Sequence, residues 1–232
     1  MAGLVYPNPN LLVECDWLAE HLHDPNIRIV DADERVAYGR AHIPRAVGHL
    51  GHMYLKEREG ATHIMGPEHF ASTMSQMGIG DDTLVIAYDA ANSLYATRFW
   101  WCLNYYGHSS VRVLNGGFHK WVDENRPIEL VARKVLPATF TPRVSPEWLG
   151  VCDVMKDQVG DSDTVFLDVR SAGEYAGTND RGNSRRGHVP GAVHLEWLNF
   201  VSRGQRTFKA PELLTKMLTE RGVTPDKNVY TY

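Results

Sequence analysis

Ile27-Arg28-Ile29-Val30-Asp31 followed by Ala32-Asp33-Glu34-Arg35-Val36-Ala37-Tyr38 has a likeness later in the chain. It is Val165-Phe166-Leu167-Asp168 followed by Val169-Arg170-Ser171-Ala172-Gly173-Glu174-Tyr175. A little further on, Ala41-His42-Ile43-Pro44-Arg45-Ala46-Val47 is matched by Gly187-His188-Val189-Pro190-Gly191-Ala192-Val193. The interval grows from 137 (168−31) to 146 (188−42), so the second copy carries nine additional residues (146−137) between Thr178 and Arg186. Pro67-Glu68 then answers to Pro211-Glu212, and Met77-Gly78-Ile79 to Arg221-Gly222-Val223. Finally, Thr83 to Tyr88 runs alongside Lys227 to Tyr232. An ordered series of matches with a slowly drifting interval is the mark of one folding unit used twice.

Each copy reads as alternating strands and helices. Ile27–Asp31, Leu84–Tyr88 and Val111–Leu114 are short apolar runs of strand length bounded by turn residues. Pro67 to Met77 opens on Pro-Glu and stops at Gly78, and Leu94 to Tyr106 stops at Gly107, so both are expected to be helices. The apolar Phe99, Trp100, Trp101 and Leu103 make the second a largely buried one. Such alternation predicts an α/β fold, with mainly parallel sheets flanked by helices. Pro127, Pro137, Pro142 and Pro146 interrupt the middle of the chain. The expected organisation is a first domain over 8–127, a linker over 128–146 and a second domain over 147–232.

Composition narrows the function classes. The 232 residues are 43% hydrophobic and 22% charged, a globular balance, and contain no apolar run of the ~20 residues that spans a bilayer. A formal charge of −4 argues against a nucleic-acid binder that works through a basic surface. Cys15, Cys102 and Cys152 are odd in number and widely spaced, which gives no disulfide framework and no Cys-x-x-Cys half-site. With no leader-like pattern at Met1 to Pro7, a cytoplasmic location is expected. Each cysteine is expected to be a small buried hydrophobe. His49 with His52, and His21 with His23, lack acidic or cysteine partners at ligand spacing, so no metal is expected. Glycine-rich nucleotide loops are missing too, and no cofactor is expected.

The repeated motifs resemble the rhodanese family, sulfurtransferases built from two homologous α/β domains. The resemblance rests on Leu167-Asp168-Val169-Arg170 with Glu174-Tyr175, on Gly187 to Val193, and on Asn115-Gly116-Gly117 with Trp121. It implies a non-catalytic first domain and a second domain whose cysteine, on the loop after its central strand, accepts a sulfane sulfur as a persulfide. In the first copy Asp89 stands at that loop position. The matching position of the second copy falls immediately after Tyr232, so the expected catalytic cysteine lies beyond these residues and the second domain is expected to be incomplete as given.

The resemblance further implies transfer of sulfur from thiosulfate to a thiophilic acceptor such as cyanide, both small molecules; charge and hydropathy give no nucleic-acid or membrane partner, and a monomer is expected. A 3-mercaptopyruvate sulfurtransferase, a non-catalytic sulfur-binding module and a rhodanese-type phosphatase are the rival readings. Arg181 and Arg186, in the inserted segment, and Trp197 and Tyr95, by resemblance, are the candidate substrate-binding residues. Some family members carry arginine where this chain has Glu174, and the departure favours thiosulfate over a carboxylate-bearing donor. Asp168 and Arg170 are expected to be framework residues, and His188 to fix a turn.

Overall fold

The structure is a computed structural model that describes residues 6–50, 54–57 and 64–232. Its contacts divide the chain into two compact units. One holds Asn8–Trp148 with Gly204–Thr207, and the other holds Leu149–Arg203, Phe208–Tyr232 and the N-terminal residues up to Pro7.

The first unit runs β1 (Leu12–Val13), α1 (Cys15–Glu20), β2 (Ile27–Asp31), α2 (Arg35–Arg40), β3 (Val47–Gly48), α3 (Pro67–Gln76), β4 (Leu84–Tyr88), α4 (Leu94–Tyr105), β5 (Val111–Leu114) and α5 (Gly117–Asp123). The three strands read from sequence coincide with β2, β4 and β5, and the two helices end one residue earlier than their patterns suggest. The sheet order is β1-β5-β4-β2-β3 and every pairing is parallel. Strands buried on both faces explain the continuous apolar runs. Ile29, Val30, Val85, Ile86, Ala87 and Tyr88 are all buried, with Leu18, Phe70, Phe99 and Trp121 packed in from the helices.

The proline-rich stretch after Pro127 is an extended strap that stays hydrogen-bonded to this unit. Glu129 pairs with His42, Ala138 donates its N–H to Ser75, and Arg143 donates to Tyr106. Its Phe140 is buried edge-on against Phe70, with ring centroids 5.6 Å apart.

The second unit contains α6 (Cys152–Asp157), β6 (Thr164–Asp168), α7 (Ala172–Tyr175), β7 (Val193–His194), α8 (Pro211–Thr219) and β8 (Asn228–Thr231). Its sheet, β7-β6-β8, is again parallel throughout. The register repeats that of the first unit: Val30 and Asp31 face Val47 and Gly48, while Leu167 and Asp168 face Val193 and His194. β8 is an edge strand here, whereas its counterpart β4 is flanked on both sides. None of the helices α6, α7 and α8 has a fully buried residue among those described.

That loose cover overturns one expectation. Cys15 and Cys102 are buried, but Cys152 is exposed. It opens a six-residue helix whose Val151 and Val154 neighbours are each 51% exposed, so among the described residues no packed layer encloses this thiol.

One glycine fixes how α5 meets the end of β4. Gly117 lies at φ +57°, and a Cβ at that position would overlap the carbonyl oxygen of Asp89. That carbonyl accepts the Phe118 N–H at 2.9 Å and so ties the helix to the strand. Gly117→Ala is expected to destabilise the protein by more than about 2 kcal/mol in urea unfolding, from left-handed strain plus the clash. Gly182, at φ +81° with no atom within 4 Å of an added methyl, should give a smaller loss on the same substitution.

Candidate active site

Parallel α/β sheets gather their functional groups beyond the carboxyl ends of the strands, where each strand hands over to a helix. In the first unit that place belongs to Asp89. Its Oδ1 accepts the N–H groups of Ala91 and Ser93, and its Oδ2 those of Tyr95 and Ala96, each at 2.8 Å. Asn92 and Ser93 reach φ 58° and 69°, and the turn they make brings these donors round a single point. The N-terminus of α4 adds its positive end. The result is a concave cradle of N–H groups built for an anion, occupied by the chain's own carboxylate.

Beneath the cradle lie two more acids. Asp31, at the end of β2, accepts the Asp33 N–H at 3.0 Å and is hydrogen-bonded to the Tyr88 hydroxyl. Asp33 Oδ2 accepts the Ala90 N–H at 2.7 Å. All three carboxylates are buried. Burial pushes Asp31 up to about 7, helped by the charges of Asp33 and Asp89 and opposed by its hydrogen bonds to Tyr88 and the Asp33 N–H. Burial likewise lifts Asp33 to about 6, and Asp89 and Glu34 add to the effect while the Ala90 N–H opposes it. Asp89 is raised by burial against the pull of its four N–H donors.

The second unit repeats the frame with a different charge. Asp168 ends β6 and is fully buried, but Arg170 grips it. The Arg170 N–H and Nε both donate to Oδ1 at 3.0 Å, and Nη2 donates to Oδ2. Burial pushes the Asp168 carboxyl up, yet the hydrogen bonds and charge of Arg170 carry it below the ordinary carboxylate range. Arg170 Nη2 also donates to the Gly187 carbonyl at 2.9 Å, and the guanidinium lies 5.0 Å from the centre of the Tyr232 ring.

Histidine has the same structural task twice. His42 Nδ1 meets the Tyr38 carbonyl at 2.9 Å and stacks on the Tyr38 ring, and His188 Nδ1 meets the Tyr175 carbonyl at 2.8 Å and stacks on Tyr175. The two tyrosines donate onward to Ala46 and Ala192. His188 therefore holds a turn, in keeping with the framework role its motif suggests.

The candidate binding residues are divided between the two units. Arg181 and Arg186 share the inserted loop, are about two-thirds exposed, and both face acids. Arg181 Nε is 3.8 Å from Glu174, and Arg186 Nη2 is 2.8 Å from Asp180. Trp197 opens a short 3-10 turn in the same unit and donates its backbone N–H to Val169 at 2.9 Å. Tyr95 belongs to the other unit, where its N–H holds Asp89 and its ring meets Tyr54 edge-on at 5.5 Å. Glu174 is not free either, since it closes a capping box with Ser171 at the start of α7. Of the histidines, His52 lies outside the described residues, and His21 is stacked on Trp17. Among the described residues no three His, Cys, Asp or Glu side chains converge as metal ligands, and no helix is long and apolar enough to cross a membrane.

The chain is thus built from two parallel α/β units, each with a buried acid at the end of a central strand and one with an N–H cradle on a following loop. The family description "Rhodanese-like domain" matches this chain twice, over residues 14–124 and 152–232, and the chain belongs to the rhodanese family. It is 32% identical to the sulfur carrier protein TtuD of Thermus thermophilus, with 98% of this chain and 83% of that protein covered. It is also 32% identical to the 3-mercaptopyruvate sulfurtransferase of Escherichia coli, with 94% and 81% covered. A thiosulfate sulfurtransferase of Gallus gallus is 29% identical, with 93% and 80% covered. Among solved structures, SseA of Escherichia coli, a 3-mercaptopyruvate sulfotransferase, superposes with a TM-score of 0.83 at 31% identity, covering 96% of this chain and 87% of that one.

Asp33 and Arg170 hold matching places in the two repeats, two residues after the strand-end acid. Their mismatch carries no signal in the sequence by itself, and gains meaning only when both residues are seen against the same buried acid.

The acid cluster gives a pH test with a defined sign. Asp31 holds its proton to about 7 when folded, against an ordinary 3.8. The folded state therefore binds the extra proton between these values, and stability falls as pH rises through that window. Asp31→Asn should match wild type near pH 4. Above pH 7 it should be the more stable by on the order of 2–4 kcal/mol in urea unfolding. A difference that does not change with pH would contradict the assignment.

Proposed function

We propose that this protein is a sulfurtransferase that moves a sulfane sulfur from thiosulfate to a thiophilic acceptor through a cysteine persulfide. The observation that carries the reading is the cradle around Asp89. Four N–H groups and a helix N-terminus face the first side chain after the strand and lower its proton affinity against the opposing effect of burial. A less buried thiol with the same donors in the second repeat would be favoured as thiolate.

The chemistry follows from the thiolate. It attacks the outer sulfur of thiosulfate, the sulfur–sulfur bond breaks, and sulfite leaves with the electron pair. An acceptor such as cyanide then attacks the outer sulfur of the persulfide and returns the thiolate, a double displacement. None of the three cysteines fits this role. Burial raises Cys15 to about 11 and Cys102 to about 12, which keeps both protonated at neutral pH. Cys152 is exposed and opens α6, ahead of β6 rather than on a loop that follows the central strands. The nucleophile belongs to the position after Tyr232, the counterpart of Asp89.

Arg181 and Arg186 suit the anionic donor, because guanidinium groups offer several donors to its oxygens. Trp197 and Tyr95 are proposed as walls of the donor and acceptor sites. Glu174 supports thiosulfate over 3-mercaptopyruvate, since it stands where some family members carry an arginine that could pair with the donor's carboxylate. The unpaired cysteines suit a cytoplasmic setting, where thiols stay reduced.

The test is sulfite release from thiosulfate with cyanide present. A polypeptide in which Tyr232 is followed by a cysteine-led loop should turn over, and the same polypeptide with serine there should not. Glu174→Arg should shift the donor preference toward 3-mercaptopyruvate by about tenfold or more, a change equivalent to one charge-assisted contact. Faster turnover with 3-mercaptopyruvate than with thiosulfate in the unsubstituted protein would replace the thiosulfate reading.

A further inference from the structure

We propose that Arg28, Arg45 and Arg133 form a binding site for a phosphate-type dianion, close to the start of β2 rather than at the strand ends that carry Asp31 and Asp89. The inference does not depend on the sulfurtransferase reading. Three separate segments of the first unit supply the site: β2, the turn before β3, and the extended strap.

The sheet and one tyrosine bring these segments together. Val30 faces Val47 across β2 and β3, and two residues ahead of that pair stand Arg28 on one side and Arg45 on the other. The Tyr38 hydroxyl donates to the carbonyl of Ala46, next to Arg45, and accepts the Arg133 N–H, each at 3.1 Å. Arg28 Nε donates to the Gly78 carbonyl at 3.3 Å. A Cβ on Gly78 would lie 2.8 Å from Arg28 Nη2 and 3.0 Å from the Leu136 carbonyl, so this guanidinium sits where the end of α3 meets the strap.

Among the described residues these cations have no anionic partner. No carboxylate forms an ion pair with Arg28, Arg45 or Arg133, whereas Arg126, Arg170, Arg181 and Arg186 each face one. Glu129, the acid that reaches the turn, accepts the Arg45 backbone N–H on Oε2 at 3.0 Å. The Arg45 guanidinium instead donates from Nη1 to His23 Nδ1 at 3.2 Å, so its neighbour is another basic group. Burial, followed by the charges of Arg133 and Arg45, lowers the proton affinity of Arg28. Like charges gathered without a counter-ion repel one another, and a bound dianion removes that repulsion. Guanidinium groups suit such a ligand because their forked N–H donors match its oxygens.

The second repeat shows that the frame does not need these arginines. Gly191 stands where the first repeat has Arg45, and the two share a left-handed backbone, at φ +77° and +68°. Glycine adopts that conformation freely and arginine does not. Val165 likewise takes the place of Arg28 in the central strand. An arginine placed on a glycine turn, beside a second one half-buried in a strand, points to a task for the charge that the fold itself does not set.

The experiment titrates inorganic phosphate onto the whole chain at low ionic strength and follows the amide resonances of Arg28, Arg45 and Arg133. Potassium chloride at equal ionic strength is the reference. Arg45→Gly suits the left-handed turn, and Arg133→Gln alters an exposed side chain. Wild type should bind phosphate, Arg45→Gly should lose about tenfold or more in affinity, and Arg133→Gln about threefold or more. Lys156→Gln, which removes an exposed cation of the other unit, should leave the affinity unchanged. O-phosphoserine is the second probe. Tighter binding than inorganic phosphate assigns the site to a phosphoryl group carried on a larger molecule, and weaker binding assigns it to the free ion.

No phosphate binding by wild type, equal resonance shifts with chloride, or an equal loss in Lys156→Gln would overturn the proposal. So would wild-type affinity in a folded Arg45→Gly. If Arg45→Gly does not fold, Arg133→Gln decides alone, and unchanged affinity there counts against the site.

Discussion

A hydrogen bond between the acid that ends one strand and the tyrosine at the end of its neighbour organises both repeats. Asp31 is joined to Tyr88 in the first and Asp168 to Tyr232 in the second. Each tyrosine hydroxyl also accepts a backbone N–H from the turn that follows the histidine present in both copies, Ile43 in one case and Val189 in the other. Buried polar groups must find partners, and here one pair satisfies a carboxylate, a phenol and a turn amide at once. The end of the sheet is thereby fixed before any reacting group is placed on it.

On that shared frame the two repeats diverge through charge rather than shape. The first fills its cradle with Asp89 and sets Asp31 and Asp33 under it, with burial raising the proton affinity of all three. Such a site stabilises a loop and repels anions. The second has Arg170 in place of Asp33, and its buried acid is held below the ordinary range by that neighbour. The two copies therefore keep one frame and differ in the sign of the charge two residues after the strand-end acid.

Much of this is visible in the sequence. Ile27–Asp31 and Leu84–Tyr88 read as strands because parallel strands covered on both faces leave uninterrupted apolar runs. The repeat is visible because His-Ile-Pro and His-Val-Pro hold the same turn by the same histidine-to-carbonyl contact. The four N–H bonds on Asp89 are not visible, since they depend on two consecutive left-handed residues, Asn92 and Ser93, that carry no glycine to announce them. The exposure of Cys152 is hidden for a different reason. Its apolar neighbours suggest burial, but burial is a property of the surrounding layers, and α6 has few of them. The acidic partners of Arg181 and Arg186 likewise arise only when the inserted segment folds back on α7 and on itself.

Those partners bear on how a donor would be held. An exposed arginine already facing a carboxylate gains little from a second anion, because the new contact replaces an old one and both are screened by solvent. On the proposed reading, Arg181 and Arg186 would exchange Glu174 and Asp180 for the oxygens of the donor, and the net gain would be small. Weak donor binding suits a double displacement, in which sulfite must leave the same place before an acceptor can enter. The lasting stabilisation must then come from groups that do not exchange partners. Arg170 is such a group, because its carboxylate is fully buried and its bond to Gly187 is internal to the fold. On that reading the exposed arginines make the transient contacts, while the pair of half-buried Arg170 with fully buried Asp168 keeps its partners throughout.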